Sequence, residues 1–446
     1  MTRLLASITI AVTIALCTPS VTLALQLPAP APTTDSAFDK RAAQLVDLLA
    51  GRIAYTDYFD PHFQAAVPEP QFKAFSAGLI AQYGNPVAID RATRTHGRSG
   101  TVLLRFERGV ATVLLDVGAA ADARVTGLRV TGVTVANDSF DKIAAEIAAL
   151  PGQTGFLVAE LDGAAIRPLA SAAPDRQFAV GSTIKLYILD ELAAQVAAGK
   201  RRWSDVVPLS HLSFSSAATA NWPVGTPVTL QTLANWMVSV SDNGATDTLI
   251  HLIGRAPIEA RMRAAGHKDP SRNTPLLTTV EAFALKGDNF ADLRPLFVRG
   301  DDAAQRRLIE GNRKRLTLAN VDGVSFTEGP RFIDSLGWFA SPSDIARLMV
   351  DLRSRGSKPL LAAMAINNGV GPVAAADWSY LGYKGGSENG VLSMSLLGQR
   401  KSDGKWFVVT GSWNNPDANV ATEPFVGLVT RLLALAANQA VKPAAR

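Results

Sequence analysis

The hydrophobic pattern changes character along the chain, and the changes divide it. SAFDKRAAQLVDLLAG and PEPQFKAFSAGLIAQYG read as helices, the first with apolar positions recurring near the 3.6-residue period. Four strand-like runs then arrive close together: PVAIDRATR, SGTVLLRFER, VATVLLDVG and DARVTGLRVTG. Helices followed by an antiparallel sheet predict a small α+β domain over residues 37–135. A boundary falls near Val135–Asp138. Beyond it, SFDKIAAEIAAL reads as a helix and TGFLVAELDG as a strand ending in a turn. Near the far end VLSMSLLGQR and KWFVVTGSWNN form a hairpin around Asp403-Gly404, a strong turn signal. An amphipathic helix from about Pro424 to Gln439 closes the chain. Residues 182–380 are mostly helical. One sheet built from both ends of the segment, with helices between, predicts an α/β sandwich over residues 136–446.

Length and composition add little against this division. A chain of 446 residues is long for one domain, so two are expected. The formal charge of +5 is modest and the basic residues are scattered. The one dense cluster, Arg313-Lys314-Arg315, is too short for a nucleic-acid surface and reads as a solvated face. The N-terminus changes the picture more. MTRLLASITIAVTIALCTPSVTLALQ has an early arginine, an apolar core too short for a membrane span, and the small-residue step ending at Ala24. That is the pattern of a secretory signal peptide over residues 1–24. A Pro- and Ala-rich linker, 25–36, follows. Cys17 is the only cysteine, so cleavage near Ala24 leaves no thiol, no disulfide and no cysteine chemistry. The mature protein is expected to be secreted or periplasmic, with no stable membrane anchor.

Candidate chemistry lies in three stretches. In FAVGSTIKL, Ser182 stands three residues before Lys185. Ser182 reads either as a helix cap or as a nucleophile whose base is Lys185, since positions i and i+3 share a helix face. The positive end of the helix also disfavours a charged lysine there. In VSVSDNGATDTLIHLI, Ser241, Asp242 and Asn243 precede another helix, where a cap is the ordinary reading. The spacing of 59 residues from Ser182 (241 − 182) lets one helix, a loop and a second helix return to the first site. In YKGGSENG, Lys384, Gly385, Gly386 and Ser387 precede the hairpin; alone they read as a strand with a bulge or turn.

In this order, SxxK, SDN and a lysine-glycine strand resemble the serine penicillin-recognising family, the class A β-lactamases and penicillin-binding D,D-peptidases. The likeness spans roughly residues 150–440 and includes GWFASPSDIARLM, similar to the family's helix after the active-site loop. The two-domain layout is similar to a β-lactamase-like subset with a small extra N-terminal domain, one member being an esterase-like hydrolase of clavulanic acid biosynthesis. The element order of the small domain resembles the nuclear-transport-factor type. The resemblance implies a β-lactamase/transpeptidase-like sandwich and an acyl-enzyme on Ser182. Lys185 takes its proton, Ser241 relays protons, and Lys384 further depresses the Lys185 pKa. Backbone N–H groups of Ser182 and Ser387 form the oxyanion hole. Asn243 binds the substrate's acylamide, Gly385, Gly386 and Ser387 line the substrate strand, and Asp242 braces the turn.

Departures matter as much. The family's usual hydroxyl is missing at Gly385, with Ser387 a partial substitute, and Arg400 is the candidate carboxylate clamp. The nearest candidate for a deacylating acid is Glu281, whose following residues do not match the family; it also reads as a helix surface residue. Ser341 lies 100 residues after Ser241 (341 − 241), more than the family places there, which predicts an insertion over about 270–335 acting as a lid. Without a deacylating base, β-lactam turnover is expected to be slow. No G-x-S-x-G elbow, HExxH or phosphate loop is present, so no metal or cofactor is expected. The reading is a secreted acyl-serine hydrolase of a β-lactam, ester or related amide. Its alternatives are a D,D-peptidase acting on peptidoglycan peptides and a non-catalytic cell-wall or β-lactam binding protein.

Overall fold

The computed structural model describes residues 36–135 and 137–438. The expected signal peptide with Cys17, the linker up to residue 35, and Gln439 lie outside the described residues. β1 (Pro86–His96), β2 (Ser99–Phe106), β3 (Gly109–Val117) and β4 (Val125–Thr134) make an antiparallel meander in chain order. In β2 and β3 every second residue is buried, the two-residue period of a strand with one face on a core. Val102, Leu104 and Phe106 thereby meet Val113 and Leu115, and helices cover them with Phe38, Leu45, Tyr58 and Phe72. The first expected helix is broken at Gln44 into Ser36–Ala43 and Leu45–Leu49; the second runs Glu69–Tyr83. Between them lie two short helices the pattern did not predict, Tyr55–Tyr58 and Pro61–Ala66, the latter capped by Asp60 accepting from the Phe63 N–H at 2.8 Å.

The second sheet is made of β5 (Gln153–Asp162), β6 (Ala165–Ala172), β7 (Trp378–Glu388), β8 (Val391–Arg400) and β9 (Trp406–Asn414). Its order is β7-β8-β9-β5-β6, and every neighbouring pair is antiparallel. Both ends of the segment build it, as the hydrophobic pattern predicted. Helices cover both faces. Leu157, Ala159, Leu397 and Val408 turn to the core under the helical middle of the chain. Their neighbours Phe156, Val158, Leu396, Phe407 and Val409 turn to the core under the helices Phe140–Ala148 and Thr422–Asn438. Double-sided burial explains why these strands are apolar at nearly every position, and each such side chain contributes roughly 1.5–3 kcal/mol. The architecture is an α/β sandwich preceded by a small α+β unit.

The C-terminal helix joins the two sheets: it packs on β9 and on β4. Arg431 on it grips Asp138 at 2.8 Å and Glu146 at 2.9 Å. Residues 270–335 contain the helices Thr279–Lys286, Arg294–Arg299 and Asp302–Gly311, with one short 3₁₀ turn between the first two and two more after the last. β7 is an edge strand, and its outer edge faces the 3₁₀ turn Gly181–Ile184.

Candidate active site

Where β7 meets that turn, a cleft of about 550 Å³ opens, lined among others by Ser182, Ser241, Asn243, Lys384, Gly385, Gly386 and Ser387. The three sequence motifs thus come together. The segment before Ser182 is a two-residue strand, Phe178–Ala179, paired with Phe339–Ala340. The Asn414 side chain clamps Ala179, accepting from its N–H at 2.8 Å and donating to its carbonyl at 3.0 Å. Gly181 then takes a left-handed φ of +48°. Ser182 is half-buried in the 3₁₀ turn, and Lys185 is the first residue of the following helix, Lys185–Ala197. The sequence reading had one helix running through both.

Ser241 holds a left-handed backbone, φ +58°, which costs a non-glycine residue on the order of 1–3 kcal/mol and persists only where the surroundings over-determine it. Asp242 supplies that determination. One of its carboxylate oxygens accepts from the N–H groups of Ala218 and Thr219 at 2.7 and 2.8 Å. The other accepts from the Thr219 hydroxyl and, as helix cap, from the Ala245 N–H, both at 2.7 Å.

Lys185 is only 1% exposed, and its ammonium does not spend its hydrogen bonds on Ser182. It reaches the Ser241 carbonyl at 2.6 Å, the Asn243 Oδ1 at 2.6 Å and the Ser241 hydroxyl at 3.2 Å. Lys384 approaches the same hydroxyl from the other side at 3.0 Å and also donates to the Gly385 carbonyl. Burial pushes the Lys185 amine down to about 7, against the pull of Asp247 and Asp242. Burial, then the charge on Lys185, pushes Lys384 well below the usual lysine range. The expected depression of Lys185 by Lys384 does not appear: burial lowers Lys185, and the charge on Lys185 acts on Lys384 instead.

These distances prescribe a proton pattern. The Ser241 carbonyl and the Asn243 Oδ1 only accept, so they consume two N–H donors of Lys185. Near pH 7 the amine can lose its third proton and turn a lone pair toward the Ser241 hydroxyl. A hydroxyl donating there still accepts from Lys384. The Ser241 hydroxyl is therefore bonded to both amines at once. The Asn243 orientation is fixed by its own donors, which bond the Phe214 carbonyl at 2.8 Å and that of Ser215 at 3.3 Å. Its amide is thus engaged within the protein and positions Lys185, a use different from the expected contact with a substrate acylamide.

Gly386 lies against the Ser182 turn: a Cβ there would stand 2.0 Å from the Val180 carbonyl and 2.6 Å from the Ser182 nitrogen. A Cβ at Gly181 would stand 3.2 Å from the Ser387 nitrogen. The two expected oxyanion donors therefore face each other across a contact only glycine allows. At Gly385 the space is already taken, since a Cβ would fall 1.9 Å from the Tyr383 hydroxyl. Tyr383 thus brings a hydroxyl, lining the cleft, to the position where the family's is missing.

Two candidates lie elsewhere. Glu281 is buried, grips Arg255 through both oxygens and closes a capping box with Thr278 at the start of its helix; it does not line the cleft. It is neither the deacylating acid nor the solvated surface residue the sequence allowed. Arg400 is spent on Asp403 and on the Ala436 carbonyl, under the C-terminal helix, and clamps nothing in the cleft. The residues that sequence reading missed are Tyr383, Lys286 and Glu388. Lys286 and Glu388 form an ion pair in the cleft wall, with side chains 3% and 17% exposed. Strand alternation was the available signal for Glu388, which shares a face with Lys384. Among the described residues, no cluster of three or more His, Cys, Asp or Glu could hold a metal ion, and no helix is long and apolar enough to cross a membrane.

The sequence profile of the beta-lactamase enzyme family matches residues 138–356. No curated protein matches the chain. Among solved structures, a beta-lactamase from Sphaerobacter thermophilus is 20% identical with a TM-score of 0.46, the match covering 67% of this chain and 97% of that one. A beta-lactamase from Chitinophaga pinensis is 18% identical with a TM-score of 0.43, covering 67% and 97%. PBP-A is 17% identical with a TM-score of 0.45, covering 67% and 94%.

Proposed function

Because the segment 138–356 belongs to the beta-lactamase enzyme family, we propose that the protein is an exported serine hydrolase that forms an acyl-enzyme on Ser182. The observation that carries this is the Ser241 hydroxyl, held between two buried amines at 3.2 and 3.0 Å, one of them pushed down to about 7. A buried amine with no catalytic duty is an expensive thing to keep in a core. In acylation Ser182 Oγ attacks the carbonyl carbon while its proton passes, through the Ser241 hydroxyl, to the neutral Lys185 amine that this hydroxyl faces. The oxyanion lodges between the backbone N–H groups of Ser182 and Ser387. Ser241 then hands the proton to the leaving group as its bond to carbon breaks. The substrate is a β-lactam, an ester or a related amide, and the Tyr383 hydroxyl is placed to meet a carboxylate beside the scissile bond.

The test is intact-mass spectrometry of the full chain with penicillin G and with p-nitrophenyl acetate, beside Ser182→Ala. An acyl adduct, or a burst of p-nitrophenol, on the wild type alone supports the reading. Neither on the wild type would leave the chain a binding protein that keeps the fold without the reaction.

A further inference from the structure

Hydrolysis of an acyl-enzyme needs a base for water, and Glu281 is spent on Arg255. Among the described residues lining the cleft, Glu388 carries the only carboxylate, and no histidine lines it. Glu388 is the fourth residue after Lys384 on β7, so residues 384, 386 and 388 share one face of the strand. On that face Lys384 reaches Ser241 at 3.0 Å, and Gly386 lies beneath the Ser182 nitrogen. Two residues further along the strand, a step of roughly 6.6 Å, stands Glu388. Glu388 and Ser182 thus line the same cleft, with Glu388 on the strand face that meets the Ser182 turn. Lys286, from the end of the helix Thr279–Lys286, holds Oε2 in the buried ion pair, while Oε1 takes no hydrogen bond from the described residues. Phe283 and Trp338 also line the cleft.

We propose that Glu388 is the general base of deacylation and Lys286 the residue that positions it; the proposal rests on the acyl-enzyme reading above. Water oxygen attacks the acyl carbonyl carbon as Glu388 Oε1 takes one of its protons, and the oxyanion forms against the Ser182 and Ser387 N–H groups. As the tetrahedral species collapses, the bond from carbon to Ser182 Oγ breaks and Glu388 returns the proton to that oxygen. The free acid and the starting enzyme result, with no proton left over.

Burst kinetics with p-nitrophenyl acetate on the full chain separate the two steps. In Glu388→Gln the burst should persist at the wild-type rate. The steady state should fall by a factor of about 10² or more, the usual contribution of a general base, and the acyl adduct should accumulate by intact mass. Hydroxylamine, a neutral nucleophile that needs no base, should then restore much of the lost turnover to Glu388→Gln while barely changing the wild type. Lys286→Met should show the same split, more weakly. Unchanged steady-state turnover in Glu388→Gln overturns the proposal. So does loss of the burst together with turnover, or a wild type that acylates and never turns over. A burst that survives in Ser182→Ala would instead sink the acyl-enzyme reading.

Discussion

The sheet β1–β4 and the sheet β7-β8-β9-β5-β6 are both antiparallel, and both cover hydrophobic cores. They differ in what else they bury. Among the described residues of the first unit, the buried polar or charged side chains are Arg41, Ser76 and Thr131. Arg41 spends its guanidinium on the carbonyls of Ala123 and Asp122, at 2.8 Å each, and on the neutral Gln44 side chain. The second unit buries many charged side chains, Lys185, Lys384, Lys286, Asp242 and Asp247 among them, and two of these, Lys185 and Lys384, reach one hydroxyl, that of Ser241. Burying an unneeded charge is costly, and apolar replacements usually do as well or better for stability. Under the proposed function, the contrast separates a unit built for packing from one in which stability is given up to hold amines and carboxylates in fixed places.

The sharpest way to break this contrast is Lys185→Met. If the buried amine is there for chemistry, acylation should fall by about 10²–10⁴-fold, measured as the burst rate, with the fold retained by circular dichroism. Acylation by the wild type should also carry the amine's titration. In the proposed mechanism Lys185 accepts a proton only when neutral, and burial lowers it to about 7. The rate should thus rise about tenfold per pH unit below that point and level off above it. A rate independent of pH from 5 to 9, or full activity in the methionine variant, would reduce Lys185 to a structural prop.

Smaller but still large is Gly386→Ala. The added methyl must displace either the Val180 carbonyl or the Ser182 nitrogen, 2.0 and 2.6 Å away, and both are backbone atoms with nowhere to give. Misplacing one oxyanion donor typically costs on the order of 10²–10³ in rate. The burst rate should fall by about that factor while far-ultraviolet circular dichroism stays native. An unimpaired alanine variant would mean that the Ser182 and Ser387 N–H groups do not work as a pair.

Much of this was readable in the residues, and what escaped did so for definite reasons. Most strands were legible because those that bury one face alternate, as β2 and β3 do, while β5, β8 and β9 bury both and are largely apolar; β6, exposed along most of its length, gave no such pattern. The break at Gln44 and the short helices Tyr55–Tyr58 and Pro61–Ala66 were not, since helices of four to eight residues carry too few turns for a period. The motifs point to Ser182, Ser241 and Lys384, which line one cleft. Glu281 drew notice by residue type and position, but local geometry decides against it. Glu281 and Lys286 are five residues apart, which turns them roughly 140° from each other around a helix. Lys286 faces the cleft and Glu281 faces Arg255. A pair such as Lys286 and Glu388, 102 residues apart in the chain, leaves no local pattern to read.

The smallest expected effect on chemistry is at Leu104, and it tests the other half of the comparison. Leu104 is 1% exposed in β2 and packs in the core of the small unit. Leu104→Ala should cost about 2–5 kcal/mol, the usual range for a buried leucine, seen as a lower urea midpoint. The burst rate per active molecule should not change, because neither the sheet β1–β4 nor its helices supply a residue to the cleft. One route could carry an effect across. The C-terminal helix touches β4 and also packs on β9, and its Thr422 and Val426 line the cleft. If Leu104→Ala slows acylation as well as loosening the fold, that helix is transmitting strain from one sheet to the other. In that case the small unit would be part of the active site's support, and the division between a packing unit and a chemical one would fail.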